Sequence, residues 1–214
     1  MSSDIFTQSL SDTLEDKIQR EHYGLFPSAV SKVSVPNHDD FKQQILEWMS
    51  TEDLQLKTDR NAISHNVAQV GPNNKLINDL PIIHKLLVDS VNWTNDNTLK
   101  YDAIFAIQDS YLEIHNKDAI YAPHEHSNCL YSLTYLINYD HTLHSPVKFR
   151  RNVQSSHYPV IQLRSTDMTP YNMTECTFDM SEGDIIIYPS HITHGYDTNP
   201  NDQRITLTAN FVPQ

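Results

Sequence analysis

From residue 100 onward the sequence is a succession of short β-rich runs, and a chain patterned that way has few ways to fold. YDAIFAIQDSYLEI, YAPHEHSNCLYSLTYLIN, PVKFRRNV, YPVIQLRS, ECTFDM, GDIIIYPS and QRITLTANFV follow one another, each bounded by Asn, Asp, Pro or Ser. Seven or more short strands at this spacing predict an antiparallel sandwich or barrel. Glycine is scarce, at 4 residues, so Asn, Asp and Pro are expected to carry the turns. There is no Gly-rich phosphate loop, no βαβ rhythm and no internal repeat.

The residues before 100 read differently. Up to about residue 22 the chain is polar, with Ile5, Leu10, Leu14 and Ile18 near helical spacing: a short amphipathic helix or a loosely held arm. Ala29, Val30, Val33 and Val35 predict a strand that ends at Pro36. The acidic turn His38-Asp39-Asp40, followed by Phe41, Ile45, Leu46 and Met49, predicts a helix. A second helix is expected over residues 80–91, where Ile82, Ile83, Leu86, Leu87, Val88 and Val91 form a broad apolar face. The stretch 51–78 is polar, with a turn at Gly71-Pro72-Asn73-Asn74. The expected organisation is one domain: an arm, a strand and bracing helices in 1–99, and a β core in 100–214.

Acidic residues outnumber basic ones by 27 to 15, a formal net charge of −12, with no long Lys/Arg run. That argues against a nucleic-acid partner and against an anionic membrane surface. No run of eighteen apolar residues predicts a membrane span, and the opening residues lack the pattern of a signal peptide. Cys129 and Cys176 form no CxxC pair and read as reduced thiols of an intracellular protein. The expected setting is cytoplasmic.

The sharpest chemical feature is His124-Glu125-His126. Read as the start of a strand that continues through CLYSLTYLIN, alternation would point both imidazoles one way and Glu125 the other. About seventy residues later, Gly183-Asp184 makes a turn, Ile185 to Tyr188 a buried strand, Pro189 its end, and His194 follows. A third imidazole from a facing strand would complete a three-point metal site with open positions. Ten residues on, Arg204 and Thr206 share a strand face. A guanidinium binds a carboxylate bidentately, and this pair suits the distal carboxylate of 2-oxoglutarate.

These segments resemble a known family, the 2-oxoglutarate/Fe(II) oxygenases of phage and marine-bacterial type, distant relatives of prolyl hydroxylases. The resemblance runs from LFPSAVSKVSVPN to GDIIIYPSHITHGYDTNPNDQRITLTANF. It implies a mainly β fold with flanking N-terminal helices, the double-stranded β-helix or cupin-like jelly roll. It implies Fe(II) as metal, 2-oxoglutarate and O2 as co-substrates, and hydroxylation of a prime substrate the sequence does not name, with succinate and CO2 as products. By position, His124 and His194 match metal ligands, Arg204 with Thr206 beside it matches the carboxylate anchor, and Tyr135 matches a tyrosine that touches the same carboxylate. The departure is His126, where the family usually has Asp or Glu. Glu125 could replace it only through a bulge.

The chain has 12 histidines, so most are expected to be surface or satisfied core residues. His22, His38, His65, His84, His115, His141, His144 and His157 are read that way, and His191 as part of the turn or pocket rim. Asn128, Ser132 and Asn210 are softer pocket candidates. Two other readings compete: a three-histidine cupin-type metalloenzyme, and a non-catalytic jelly-roll binding protein with a degenerate metal site. A homodimer is compatible with all three.

Overall fold

The computed structural model describes residues 28–56, 66–151, 166–167, 169 and 172–214. The predicted arm over residues 1–22 and the YPVIQLRS run lie outside them.

Strands β1 (Ser31–Ser34), β2 (Leu54–Leu56), β3 (Val67–Val70), β4 (Phe105–His115), β6 (Tyr131–Asn138), β9 (Asp184–Pro189) and β11 (Arg204–Pro213) form a seven-stranded sheet in the order β1-β9-β6-β11-β4-β3-β2. Strands β5 (Tyr121–His124), β7 (Lys148–Arg150), β8 (Glu175–Cys176) and β10 (Thr193–Tyr196) form a four-stranded sheet in the order β5-β10-β7-β8. Every pairing described is antiparallel. Among the described residues three helices accompany the sheets: α1 (His38–Met49), α2 (Lys75–Asp79) and α3 (Pro81–Asn97). None is long and apolar enough to cross a membrane.

Helix α1 forms where the sequence predicts it, with Asp39 and Asp40 in the first turn and Ile45 and Trp48 buried. Helix α3 opens on Pro81, which suits the first helical position because its missing N–H would have no partner there. Its residues Ile83, Leu87 and Val91, each four apart, are fully buried. They pack in one core with Ile45, with Leu112 and Ile114 of β4, and with Ile205, Leu207, Ala209 and Phe211 of β11. Apart from Ala209, each of these side chains contributes about 1.5–3 kcal/mol on burial.

Alternation sends the other face of these strands toward the four-stranded sheet. That face carries Glu113 and His115 on β4, and Arg204, Thr206 and Thr208 on β11, all buried. Ring contacts between Phe149 and Tyr188, with centroids 5.3 Å apart, join the sheets at one end. The molecule is thus a mainly β jelly roll of two antiparallel sheets, with helices bracing the outer face of the larger one.

Two expectations need correction. The stretch 51–78 is not merely polar: it supplies β2 and β3, which extend the sheet beyond β4. The run from His124 to Asn138 is not one strand either. Strand β5 ends at His124 and β6 begins at Tyr131 in the other sheet, and Asn128 turns the chain between them at φ 62°.

Candidate metal centre

Strands β5 and β10 lie side by side, and their register sets His124 directly opposite His194. His126 lies two residues past the end of β5, where its backbone N–H donates to Ser190 O at 3.0 Å. That bond ties the segment after β5 to the turn between β9 and β10. The three imidazoles therefore converge, although not by the uninterrupted alternation the sequence suggested. Their ligand-capable nitrogens all lie within 4.8 Å of one another. The Nε2 atoms of His126 and His194 are 3.1 Å apart, and the rings of His124 and His194 have centroids 4.4 Å apart.

Backbone carbonyls orient two of the rings. His124 Nδ1 lies 2.8 Å from Ala122 O, and His194 Nδ1 lies 2.9 Å from Ile192 O. An imidazole that donates from Nδ1 keeps its Nε2 lone pair for a metal. Tyr188 donates its hydroxyl to His194 Nε2 at 3.0 Å, with Thr134 Oγ1 3.2 Å from the same hydroxyl as an alternative acceptor. Burial first, then the neighbouring His124 and His126, push the His194 pKa down to about 3. His194 is therefore neutral at pH 7, as a ligand must be. Three imidazole nitrogen donors fit a divalent first-row transition metal.

The sequence left open whether Glu125 replaces His126. Glu125 is exposed and accepts a hydrogen bond from Thr193 Oγ1 at 2.7 Å, and it is not part of the cluster.

Behind the imidazoles a narrow cavity of about 40 Å³ reaches Arg204 and Thr206. Arg204 is 1 % exposed. Its Nε donates to Ser145 O at 3.1 Å, and its guanidinium lies 4.5 Å from the centroid of the Tyr196 ring. Among the described residues no carboxylate pairs with it. Burial lowers its pKa, while Tyr196, Tyr139 and Glu113 act in the opposite sense. Thr206 Oγ1 is held 2.9 Å from His115 Nε2, and His115 Nδ1 makes a short contact with the Tyr196 hydroxyl.

Tyr135 is placed elsewhere. In β6 the residues Tyr131, Leu133, Tyr135 and Ile137 face the helix-side core, whereas Thr134 lines the cavity. The Tyr135 hydroxyl donates to His38 Nδ1 at 2.7 Å, and His38 Nε2 donates to Ile137 O at 3.1 Å. Strand alternation thus excludes Tyr135 from the cavity.

Sequence reasoning missed Glu113, Tyr188 and Tyr196, and set His115 aside, yet all four line the cavity. Glu113 is 3 % exposed, with its Oε2 3.7 Å from His115 Nε2. The alternation of Tyr111, Glu113 and His115 with Leu112 and Ile114 was the available signal. His191 does sit outside the cluster, at the wall of a separate surface recess.

No protein-family model matches the sequence, and no curated protein matches it. Solved structures do resemble the fold. A prolyl-4-hydroxylase from Pseudomonas putida superposes with a TM-score of 0.56 at 11 % identity, over 87 % of this chain and 94 % of that one. A 2OG-Fe(II) oxygenase-family oxidoreductase from Burkholderia pseudomallei gives 0.56 at 12 % identity, over 84 % and 83 %. HygX from Streptomyces hygroscopicus, solved with nickel, 2-oxoglutarate and hygromycin B, gives 0.52 at 9 % identity, over 87 % and 84 %. The chain shares the jelly-roll fold of these proteins.

Proposed function

We propose that this chain is an iron(II)- and 2-oxoglutarate-dependent dioxygenase that hydroxylates a second substrate. The observation that carries the reading is Arg204: a buried guanidinium that forms no ion pair among the described residues, although the Glu113 carboxylate shares its cavity, together with three convergent imidazoles. A buried unpaired charge is costly, and an incoming carboxylate is the partner that would offset that cost.

His124, His126 and His194 would hold the metal, each through one ring nitrogen. Iron(II) bound there would supply the redox chemistry that couples oxidation of 2-oxoglutarate by O2, to succinate and CO2, with oxidation of the second substrate. Arg204 anchors the far carboxylate with its paired N–H groups, and Thr206, fixed by His115, adds a hydroxyl beside it. Tyr188 and Tyr196 wall the cavity and keep water from the anchored end. The all-nitrogen donor set also suits a cupin-type metalloenzyme, but that reading gives Arg204 no task.

The test is succinate formation. Purified chain with iron(II), O2 and 2-oxoglutarate should release succinate slowly without any second substrate. Arg204→Met should weaken 2-oxoglutarate binding by roughly 30-fold or more, the loss expected for truncating one side of a buried charged pair. The same variant should keep or raise the Tm of the ligand-free protein, because it removes a desolvated charge. Unchanged 2-oxoglutarate affinity in Arg204→Met would remove the basis of the reading.

A further inference from the structure

His124, His126, Tyr111 and Tyr121 are walls of two spaces. One is the narrow cavity that reaches Arg204. The other is a wider recess of about 370 Å³, open to solvent. Its remaining walls are Gln69, Asn73, Asp109, Ser127 and Asn210, with Glu125 between the two histidines. Among the described residues no lysine or arginine lines it. The volume lies within the usual range for small-molecule sites, and every wall side chain offers a polar atom.

Asp109 is the fixed anion of this recess. Asn210, 5 % exposed, donates its amide to both carboxylate oxygens, at 3.1 and 3.2 Å. Ser132 in turn donates to Asn210 Oδ1 at 2.7 Å, and Ser190 lies 2.9 Å from Ser132. Ser132 and Ser190 are both fully buried. A chain of buried hydrogen bonds thus ends on one half-exposed carboxylate, where the register between β4 and β11 shifts at Asn210/Phe211. Among the described residues Asp109 has no cationic partner. Such a network rigidifies the group at its end, and a rigid carboxylate is a directional receptor for an N–H donor.

We propose that this recess receives the substrate to be oxidised, and that this substrate is a small organic cation bearing an ammonium group and several hydroxyls, of the amino-sugar class. The proposal rests on the dioxygenase reading for what happens to the bound molecule, and on the recess alone for what binds. The ammonium pairs with Asp109, while Gln69, Asn73 and Ser127 supply amides and a hydroxyl for the hydroxyl groups. The Gln69 amide already donates to Gly71 O at 3.1 Å and to Asn73 Oδ1 at 2.8 Å, so Gln69 offers its Oε1 and Asn73 its Nδ2; an apolar molecule would leave these atoms and the Ser127 hydroxyl without a partner, at about 1–3 kcal/mol for each one buried. An anionic molecule would meet the carboxylates of Asp109 and Glu125 on entry. The net charge of −12 adds a long-range field that draws cations in.

The test is a ligand-observed NMR titration of the full chain, purified without iron, with glucosamine, glucose and glucuronate as probes. Glucosamine is expected to bind at least tenfold more tightly than glucose and glucuronate, with a preference that shrinks as salt rises. Asp109→Asn keeps the shape of the carboxylate and its contact with Asn210, so it should retain the wild-type Tm while glucosamine affinity falls to that of glucose. Glu125→Gln should lower the preference less, because Glu125 is not held by the buried network. The proposal is overturned if glucose or glucuronate binds as well as glucosamine, if none of the three binds, or if the preference survives Asp109→Asn. Neither iron nor turnover enters this measurement. Its failure would leave succinate formation untouched, and a chain that makes no succinate could still pass it.

Discussion

His194 has to stay neutral to serve as a ligand, and its surroundings enforce this in a way stability measurements can read. Burial, aided by His124 and His126, holds its pKa at about 3 in the folded metal-free protein. An unfolded histidine titrates near 6.5. Between those two values the unfolded chain binds a proton that the fold refuses, so acid favours unfolding. Stability should therefore fall as pH drops through about 6.5, by up to about 1.4 kcal/mol per pH unit from this one group. From pH 6.5 to 5 that amounts to roughly 2 kcal/mol. Urea midpoints of the chelator-treated protein at a series of pH values would measure the slope, and His194→Gln should be flatter by that amount. Equal slopes in the two proteins would mean that the buried environment of His194 does not hold in solution.

The placement of that imidazole depends on how closely β10 approaches β5. Gly195 lies beside His194, and a Cβ built there would come within 2.6 Å of Tyr121 O and 3.0 Å of Ala122 O. Both are backbone atoms, so neither can swing aside, and Ala122 O is also the acceptor that orients His124. Gly195→Ala should push the two strands apart and separate His124 from His194. Overpacking of this kind costs about 1–3 kcal/mol, or roughly 2–12 °C in Tm for a chain of this size. A thermal melt alongside a cobalt(II) titration would check both effects: a normal Tm with normal affinity would mean that the sheet tolerates a wider spacing. The same strands show what the sequence could and could not convey. The histidine triad was legible because its members are chemically unusual neighbours, yet the reason they meet was misread. Nothing in His124 to Asn138 announces that the chain leaves one sheet for the other, because the turn at Asn128 uses an ordinary polar residue in a left-handed conformation. Tyr135 and Thr134 sit side by side, and only the register of β6 decides which one enters the cavity. Glu113 and His115 were passed over because polar residues on alternate strand positions usually face water, whereas here a second sheet covers them. Strands β2 and β3, at three and four residues, are too short to show a period.

The two halves of the proposed site belong to different layers: His124 and His194 come from the four-stranded sheet, with His126 just beyond its edge, and Arg204 from the seven-stranded one. A metal ion alone would tie β5 to β10, whereas 2-oxoglutarate chelated to that metal and anchored on Arg204 would tie one sheet to the other. Their effects on stability should therefore be ordered rather than additive. A transition metal at a hundred times its Kd should contribute about 2.7 kcal/mol, or roughly 5–11 °C in Tm. 2-Oxoglutarate should add a further rise only after the metal is present, and Arg204→Met should abolish the second rise while leaving the first. A chain with 27 acidic residues will attract any divalent cation, so the control is calcium. Calcium prefers oxygen donors and should not reproduce the first rise at the same concentration. Differential scanning fluorimetry over these combinations checks the ordering. A rise from 2-oxoglutarate in the absence of metal, or one that survives Arg204→Met, would mean that the co-substrate does not bridge the sheets.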